Sequence, residues 1–211
     1  MKKVAIIDYG CGNILNLVRA VKYLGYKVEV TNEKKKIISS SNVIFPGVGS
    51  FGNAVKKLNK YDLKNIITEY VSLNKPFLGI CLGMQLLLSQ SEEFGIHKGL
   101  NIIEGKTVKI SNKNNSKIKI PHVGWNDIYP TKNKKSWNNK ILTNIPIGTN
   151  FYFVHSFIAL TKNEQVTNAV CNYYETSIPA VVSIENIFGC QFHPEKSGEN
   201  GLNVLKNFLN I

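Results

Sequence analysis

The chain has 211 residues, of which 43% are hydrophobic and 19% are charged. These proportions are typical of a globular protein that buries a sizeable core without disulfides or metals. The formal net charge is +12, but Arg19 is the single arginine among 26 basic residues. Because arginine makes the bidentate contacts of specific nucleic-acid readers, the composition favours a solvated lysine surface and no nucleic-acid partner. A basic face for an acidic protein or a phosphorylated substrate stays open.

The cysteine pattern and the hydropathy exclude several classes of protein. The four cysteines are Cys11, Cys81, Cys171 and Cys190. They form no C-x-x-C pair, so neither a disulfide framework nor a zinc site is predicted. The first apolar run, residues 4–7, ends at Asp8 and is too short for a signal peptide, and no stretch approaches membrane-spanning length. We therefore expect a cytoplasmic protein with no membrane association, no metal and no cofactor.

The first half of the chain alternates strands with helices. Residues 4–7 form a continuous apolar run, which is typical of a strand buried on both faces. Asn13 can cap a helix whose apolar side chains recur at helical spacing, and Gly25 can end it. Residues 27–31 and 43–45 predict two more strands. This β-α-β order with short connections indicates a parallel sheet with helices on its faces.

The second half of the chain is rich in short strands. The segments that favour strands through their β-branched and aromatic content are 102–110, 118–123, 151–160, 165–173 and 180–185,. Helices are predicted near residues 53–58 and 63–73 and, at the end of the chain, over residues 202–209. Polar stretches at 111–117 and 132–140 predict exposed loops. The absence of a linker or repeat predicts a single domain, residues 1–211.

The most informative stretch is residues 75–90, KPFLGICLGMQLLLSQ. Its first part predicts a short buried strand, and the apolar run that follows predicts an abrupt change to a helix. Cys81 lies at the junction between Gly79 and Gly83, in a G-x-C-x-G arrangement that is the cysteine form of a nucleophile elbow. A helix start stabilises a thiolate there. The alternative is a buried structural cysteine, and this stretch alone leaves both open.

A nucleophilic cysteine needs a base. The candidates are His97, His122, His155 and His193. His193 is followed by Pro194 and Glu195, and a carboxylate at that position can orient the imidazole and stabilise its protonated form. Residues 46–52 form a glycine-rich turn directly after a predicted strand, which either binds an anion through backbone N–H groups or is a plain turn. The turn matches neither the Walker motif nor the dinucleotide motif.

These motifs resemble those of class I (triad) glutamine amidotransferases. The residues that carry the resemblance are GICLGMQ at 79–85, FHPE at 192–195 and PGVG at 46–49, which is similar to the oxyanion strand of that family. Three more stretches, at 9–13, 121–126 and 152–157, are similar to the glutaminase subunits of imidazole glycerol phosphate synthases. The resemblance covers nearly the whole chain. It implies a flavodoxin-like α/β fold, with a central, mostly parallel sheet flanked by helices and a strand-rich antiparallel part.

The resemblance also implies residue roles. Cys81 would be the nucleophile, His193 the general base and acid, and Glu195 the orienting carboxylate. The implied oxyanion-hole residues are Gly47, Val48, Gly49 and Leu82, and the implied substrate-binding residues are Gln85, Glu93, His155 and Ser156. In such enzymes the cysteine attacks the side-chain amide of L-glutamine and forms a glutamyl thioester. Ammonia and then glutamate are released.

The implied partner is a (β/α)8-barrel cyclase subunit, which would form a heterodimer with this chain and receive the ammonia through a channel. It would make imidazole glycerol phosphate and AICAR in histidine biosynthesis. The implied interface residues are Asn13, Asn16, Trp125 and Lys196. Trp125 also fits a packed aromatic. Two alternatives remain: a glutaminase subunit of another synthase, such as a surface-sugar amidotransferase, and a non-catalytic binding protein of flavodoxin-like fold.

Overall fold

Strands and helices alternate through the first half of the chain in a computed structural model, which describes residues 2–111, 118–131 and 134–211. The strands are β1 (Lys3–Ile7), β2 (Lys27–Thr31), β3 (Asn42–Gly47), β4 (Phe77–Cys81), β5 (Leu88–Ser91), β6 (His97–Lys98), β7 (Ile103–Lys109), β8 (His122–Pro130), β9 (Asn150–His155), β10 (Phe157–Thr161), β11 (Thr167–Tyr173), β12 (Thr176–Ile184) and β13 (Ile187–Cys190). The helices are α1 (Ile14–Tyr23), α2 (Lys34–Ser39), α3 (Phe51–Lys60), α4 (Leu63–Ser72), α5 (Leu82–Leu86) and α6 (Gly198–Asn210). The loop predictions for residues 112–117 and 132–133 lie outside the described residues.

The strands form two sheets. The larger sheet has nine strands in the order β2-β1-β3-β4-β13-β12-β11-β8-β9, and the smaller has four in the order β10-β7-β5-β6. The first five strands of the larger sheet are parallel, whereas β12, β11, β8 and β9 join it by antiparallel pairing. This architecture confirms the predicted α/β fold, with its parallel centre and antiparallel extension.

Strands β1, β3, β4 and β13 are buried on both faces, as continuous apolar sequences predict, whereas the edge strand β2 is partly exposed,. In β1, Val4 and Ile6 contact one hydrophobic cluster together with Leu17 of α1 and Leu205 of α6. The alternate residues of β1 contact a second cluster on the opposite face, which includes side chains of α2, α3, α4 and α5. Among the described residues no helix is long and apolar enough to cross a membrane.

Parallel pairing brings three strand ends to one edge of the larger sheet. Gly47 at the end of β3 is paired with Cys81 at the end of β4. On the other side of β4, Cys190 at the end of β13 is paired with Ile80. In open α/β sheets, ligands bind at the carboxyl ends of the strands. The chain therefore places the glycine-rich turn, the cysteine and the segment after β13 side by side.

Some predicted elements differ from the observed ones. Helix α2 was not predicted, because it has six residues and only Ile37 is buried, so it shows no hydrophobic period. Helix α5 ends at Leu86 rather than continuing through the apolar run, and strand β5 begins at Leu88. The prediction of a strand at 118–123 was wrong in its bounds, since β8 begins at His122. The segment 151–160 is divided at Ser156 into β9 and β10.

Gly83→Ala is expected to lower the free energy of unfolding by about 3 kcal/mol or more, since overpacking against a backbone cannot relax easily. A Cβ at position 83 would overlap the carbonyl oxygen of Phe45. Helix propensity alone predicts the opposite sign, a gain of roughly 0.5–1 kcal/mol. Urea unfolding distinguishes the two. Gly25→Ala is the control: the added methyl group would meet no atom within 4 Å, so only backbone strain of about 1–2 kcal/mol applies. Equal losses in both variants would contradict the close approach.

Candidate active site

Cys81 occupies a sharp turn between strand β4 and helix α5. Its backbone has φ 54° and ψ −110°, a conformation that L residues rarely adopt,. Gly79 and Gly83 permit the turn, since a Cβ on Gly79 would come within 2.8 Å of the Gly83 backbone and one on Gly83 would meet Phe45. Strained backbone of this kind occurs at functional sites. The geometry therefore matches the predicted elbow, with the Cys81 side chain at the edge of the sheet.

His193 and Glu195 follow strand β13 and lie beside Cys81. The Nδ1 atom of His193 and Oε1 of Glu195 are 2.8 Å apart, and their side chains are 3% and 1% exposed. The second ring nitrogen, Nε2, is buried and has no hydrogen-bond partner among the described residues. The backbone of His193 is fixed by a 2.9 Å hydrogen bond from its N–H to the carbonyl oxygen of Tyr152. The three predicted triad residues are thus brought together.

The protonation of His193 depends on its two neighbours. Burial alone would lower the pKa of His193, but hydrogen bonds and charge interactions with Cys81 and Glu195 outweigh burial and raise that pKa to about 10. At neutral pH the ring therefore holds its second proton. An imidazolium next to a sulfur atom favours the thiolate, which is the form that attacks an electrophile.

Asn13 contacts the carboxylate of Glu195. Its Nδ2 atom donates a 3.2 Å hydrogen bond to Oε1 of Glu195. Asn13 stands at the N-cap position of helix α1, as the sequence predicts, but its side chain makes no capping hydrogen bond. The prediction of a side-chain cap was therefore wrong: a cap needs the Asn13 oxygen to accept from a helix N–H, whereas the Asn13 amide is oriented by the donation of its nitrogen to Glu195,.

A cavity of about 370 Å³ opens next to Cys81. Its wall includes Val48, Gly49, Leu82, Gln85, Glu93 and residues 154–157. Seven of the eight residues predicted for the oxyanion hole and the substrate therefore line one cavity, and Gly47 is paired with Cys81 at its edge. Gly49 has φ 101°, which suits glycine,.

Residues 47–50, which include the predicted oxyanion-hole residues Gly47, Val48 and Gly49, are here called the oxyanion segment. This segment is held at both ends. Before it, the buried hydroxyl of Tyr9 donates a 3.0 Å hydrogen bond to the carbonyl oxygen of Pro46. After it, the backbone N–H of Phe51 donates to Oε2 of Glu93 at 2.5 Å. Glu93 therefore lies in the cavity wall as predicted, but one of its oxygens caps the start of helix α3. Between these two contacts Val48 is 42% exposed.

Gln85 is linked to Cys81 by hydrogen bonds through a second glutamine, Gln191. Its Nε2 atom donates to the carbonyl oxygen of Phe157 and to Oε1 of Gln191, both at 2.9 Å. The Nε2 atom of Gln191 in turn donates to Sγ of Cys81 at 3.5 Å. Both N–H groups of Gln85 are therefore engaged, which leaves its Oε1 as the only side-chain atom free to bind a ligand in the cavity.

His155 lines the cavity, and both nitrogens of its imidazole ring contact other protein groups. Its Nδ1 atom is 2.9 Å from the carbonyl oxygen of Phe157, and its Nε2 is 2.9 Å from Nδ1 of His122. Nε2 of His122 is 2.7 Å from the amide nitrogen of Asn126. One donor and one acceptor on each ring satisfy all these contacts, so both rings are neutral. Burial lowers the pKa of His155 to about 3 and that of His122 to about 4.

The residues predicted for the partner interface lie on one face beside the triad. Asn16 and Lys196 line a shared surface depression that reaches Glu195. Lys196 places its Nζ atom 5.7 Å from the centre of the Tyr152 ring, and Trp125 contacts the same ring edge-on at 6.0 Å. Trp125 is 54% exposed, so it is not a packed core aromatic. Lys196 and Trp125 are therefore exposed around the Tyr152 ring, whereas Asn13 and Asn16 are half-buried near Glu195.

Sequence reasoning missed three residues of the site. Gln191 directly precedes the F-H-P-E motif, and its polarity within a buried segment was the signal that could have found it. Tyr9 and Tyr152 lie within stretches that carried the family resemblance, but no spacing rule connects them with Pro46 or Lys196. Such contacts join elements far apart in sequence. Among the described residues no group of three or more His, Cys, Asp or Glu side chains is placed to hold a metal ion.

Comparison with known proteins agrees with this geometry. The sequence profile of the family "Glutamine amidotransferase class-I" matches residues 5–211. The chain therefore belongs to the class-I glutamine amidotransferase family. This confirms the family and the enzyme class that the motifs predict.

Individual relatives are similar to this chain over nearly its full length. The imidazole glycerol phosphate synthase subunit HisH 1 of Legionella pneumophila strain Paris is 43% identical over 213 residues, with full coverage of both chains. The HisH subunit of Bacillus mycoides is 44% identical over 208 residues and covers 99% of this chain and 94% of its own. A solved structure, that of PurLQS from Thermotoga maritima, has a TM-score of 0.71 at 19% identity. The match covers 100% of this chain and 99% of the solved one, and it shows the shared fold.

The neutral histidine pair makes stability depend on pH. In the unfolded chain each histidine gains a proton near pH 6.5, whereas the folded protein holds His122 and His155 neutral down to about pH 4 and about pH 3. Between these values the unfolded chain binds more protons, so acidification below pH 6.5 lowers the free energy of unfolding,.

We expect the stability of His122→Gln to fall less steeply with acid than that of the wild type. Between pH 4 and 6.5 the slope of the unfolding free energy against pH should be smaller by the equivalent of up to about one bound proton,. Glutamine keeps a donor and an acceptor but does not titrate. Urea unfolding at a series of pH values measures the slope. Asn59→Gln, at an exposed position of helix α3 with no titrating group, is the control and should retain the wild-type slope. An unchanged slope in His122→Gln would contradict a neutral buried His122.

Proposed function

We propose that this chain is the glutaminase subunit of an imidazole glycerol phosphate synthase. It hydrolyses L-glutamine with Cys81, His193 and Glu195 and delivers ammonia to a (β/α)8-barrel cyclase subunit in the cytoplasm, for histidine biosynthesis. Residues 1–211 act as one glutamine amidotransferase domain. The observation that carries the proposal is the meeting of the three triad side chains next to a cavity at the carboxyl ends of β3, β4 and β13. The names of the 43–44% identical relatives support the choice of synthase.

The triad geometry supports a thioester mechanism. The Cys81 thiolate attacks the carbonyl carbon of the glutamine side-chain amide, and the His193 imidazolium gives its proton to the departing nitrogen. Ammonia leaves and a glutamyl thioester remains. His193, now neutral, then takes a proton from a water molecule, which attacks the thioester and releases glutamate. Glu195 keeps the ring oriented and stabilises its positive charge through the 2.8 Å contact to Nδ1.

The tetrahedral intermediates carry a negative oxygen that needs donors. The backbone N–H of Leu82 and those of residues 47–49 are the groups that we assign to it. In such sites the loss of one donor typically lowers kcat by about two to three orders of magnitude. The short helix α5 begins directly after Cys81, so the Leu82 N–H belongs to its first turn,.

The cavity accommodates glutamine in one orientation. Its volume of about 370 Å³ suits a single amino acid rather than a nucleotide or a peptide,. Gln85 presents an acceptor oxygen, which a substrate ammonium or amide can satisfy. Residues 155–156 line the cavity, and the ring of His155 is held by its contacts to Phe157 and His122. Glu93 adds negative charge at the cavity wall, where a substrate ammonium would be bound.

The surface that we assign to the cyclase carries the exposed Trp125 and Lys196 and the half-buried Asn13 and Asn16. It lies next to the triad, so ammonia released there has a short path to a partner. Trp125 and Lys196 suit an interface, since aromatic residues are enriched at such surfaces. The hydrogen bond from Asn13 to Glu195 connects a partner that touches Asn13 with the catalytic carboxylate.

Cys81→Ala should abolish glutamine-dependent synthesis by the complex with the cyclase but leave ammonia-dependent synthesis unchanged. Without the sulfur no thioester forms, whereas the cyclase still uses added ammonia. Both rates are measured on the same preparation. His193→Ala should behave likewise, and Glu195→Ala should lose less, because it orients the base. Cys11→Ala is the matched control and should retain both activities. Glutamine turnover near the wild-type rate in Cys81→Ala would rule out this nucleophile.

The isolated chain should be a poor glutaminase that its partner activates. The oxyanion segment contains two glycines, which lose much conformational freedom when fixed, so its N–H groups need not face the cavity in the free chain. A partner that binds only the competent arrangement shifts this equilibrium. If the competent state is populated at about 1%, activation reaches roughly 100-fold.

The measurement is glutamine hydrolysis by the chain alone, with the cyclase, and with the cyclase and its ligand. Turnover should rise with each addition, and the last condition should give the largest kcat. Equal turnover in all three conditions would show a preformed oxyanion site.

A further inference from the structure

Gln191 is a polar side chain at the centre of the active site that the triad mechanism does not use. It is 0% exposed and lies directly after strand β13. Its backbone N–H donates a 2.9 Å hydrogen bond to the carbonyl oxygen of Ala180, so its place is fixed by the neighbouring strand. A buried amide costs free energy unless both of its ends are bonded. Leucine or methionine would fill the same volume without that cost, so the polar atoms need an explanation.

The direction of each hydrogen bond at Gln191 follows from its neighbours. Gln85 faces two oxygen acceptors, Phe157 O and Gln191 Oε1, at 2.9 Å each. The carbonyl oxygen of Phe157 can only accept a hydrogen bond, so the Gln85 atom that faces it must be the amide nitrogen,. The amide of Gln85 therefore cannot be turned around. Gln191 must then present Oε1 to Gln85, and its Nε2 necessarily faces Cys81 Sγ, at 3.5 Å. The amide of Gln191 is therefore an acceptor towards Gln85 and a donor towards the nucleophile.

We propose that Gln191 positions both halves of the glutaminase site: its N–H stabilises the Cys81 thiolate, and its carbonyl oxygen holds Gln85 with Oε1 towards the substrate. This inference rests on the proposed function. A thiol is a weak acceptor whereas a thiolate is a strong one, so the N–H donor favours the ionised form. Gln191 thus acts together with the His193 imidazolium, because both groups favour the thiolate form of Cys81.

The first experiment measures the reactivity of Cys81 without glutamine. The chain is labelled with iodoacetamide at a series of pH values, and modification of Cys81 is followed by mass spectrometry. Burial raises the pKa of Cys171 to about 12 and that of Cys190 well above its usual range, so these thiols stay unreactive. Gln191→Met removes the donor and should move the labelling midpoint of Cys81 up by about 0.5–1 pH unit. Gln191→Glu adds a negative charge and should move it further.

The second experiment measures KM and kcat for glutamine in the complex with the cyclase. Gln191→Met leaves Gln85 without one acceptor and should raise KM by about two- to tenfold. Gln191→Glu keeps an acceptor for Gln85, so its KM should stay within about twofold of the wild type while its kcat falls. Gln85→Met should raise KM but leave the labelling midpoint close to that of the wild type.

These outcomes separate the possible roles. A residue that only fills space would leave both the midpoint and KM unchanged in Gln191→Met. An unchanged midpoint overturns the role at the thiolate, and an unchanged KM overturns the role at Gln85. If Gln191→Met does not fold, as judged by circular dichroism, Gln191→Glu carries the test through its raised midpoint at near-wild-type KM. Because labelling needs no glutamine turnover, it tests Gln191 even if the proposed glutaminase reaction fails.

Discussion

The close approach of helix α5 to strands β3 and β4 is the constraint on which the rest of the site depends. Two residues without side chains, Gly79 and Gly83, allow the backbone to reverse direction within one residue and leave Cys81 at φ 54°. Because β3 and β13 pair with β4 on either side, the same turn fixes the sulfur against the oxyanion segment and against His193. A larger side chain at either glycine would separate the nucleophile from both neighbours.

The polar groups of the site form one connected system. Contacts run from Asn126 through His122 and His155 to the carbonyl oxygen of Phe157, which also accepts from Gln85. From Gln85 they continue through Gln191 to the sulfur. Every donor in this series meets one acceptor, so the groups hold each other in single orientations without a net charge. The charges of the triad lie where this uncharged series ends, at the sulfur of Cys81 and at His193 and Glu195.

The sequence predicted the parts of the molecule whose causes are local. Strands β1 and β4, the elbow at Cys81 and the His193–Glu195 pair each follow from residue types within a few positions of one another. The bounds of α5 could not be predicted, because in a run buried on all sides no hydrophobic period remains to be read,. Strand β8 is mostly half-buried or exposed and contains Gly124, Asn126 and Asp127, residue types that are depleted in strands, so its bounds had no clear pattern either,. Gln191 and Tyr9 act on residues more than 30 positions away. No local pattern contains such contacts, which appear only when the sheet brings strand ends together.

The anchoring of the oxyanion segment by Tyr9 and Glu93 limits what can move there. Four residues between two fixed points cannot swing as a loop, and the change open to them is the rotation of one or two peptide planes at Gly47 and Gly49. Motion on that scale takes nanoseconds to microseconds rather than milliseconds. Under the proposed function, a switch of this size would respond to a partner almost at once and would add no delay to turnover. It would also reset as quickly when the partner's own substrate runs out, so glutamine would be spared between reaction cycles.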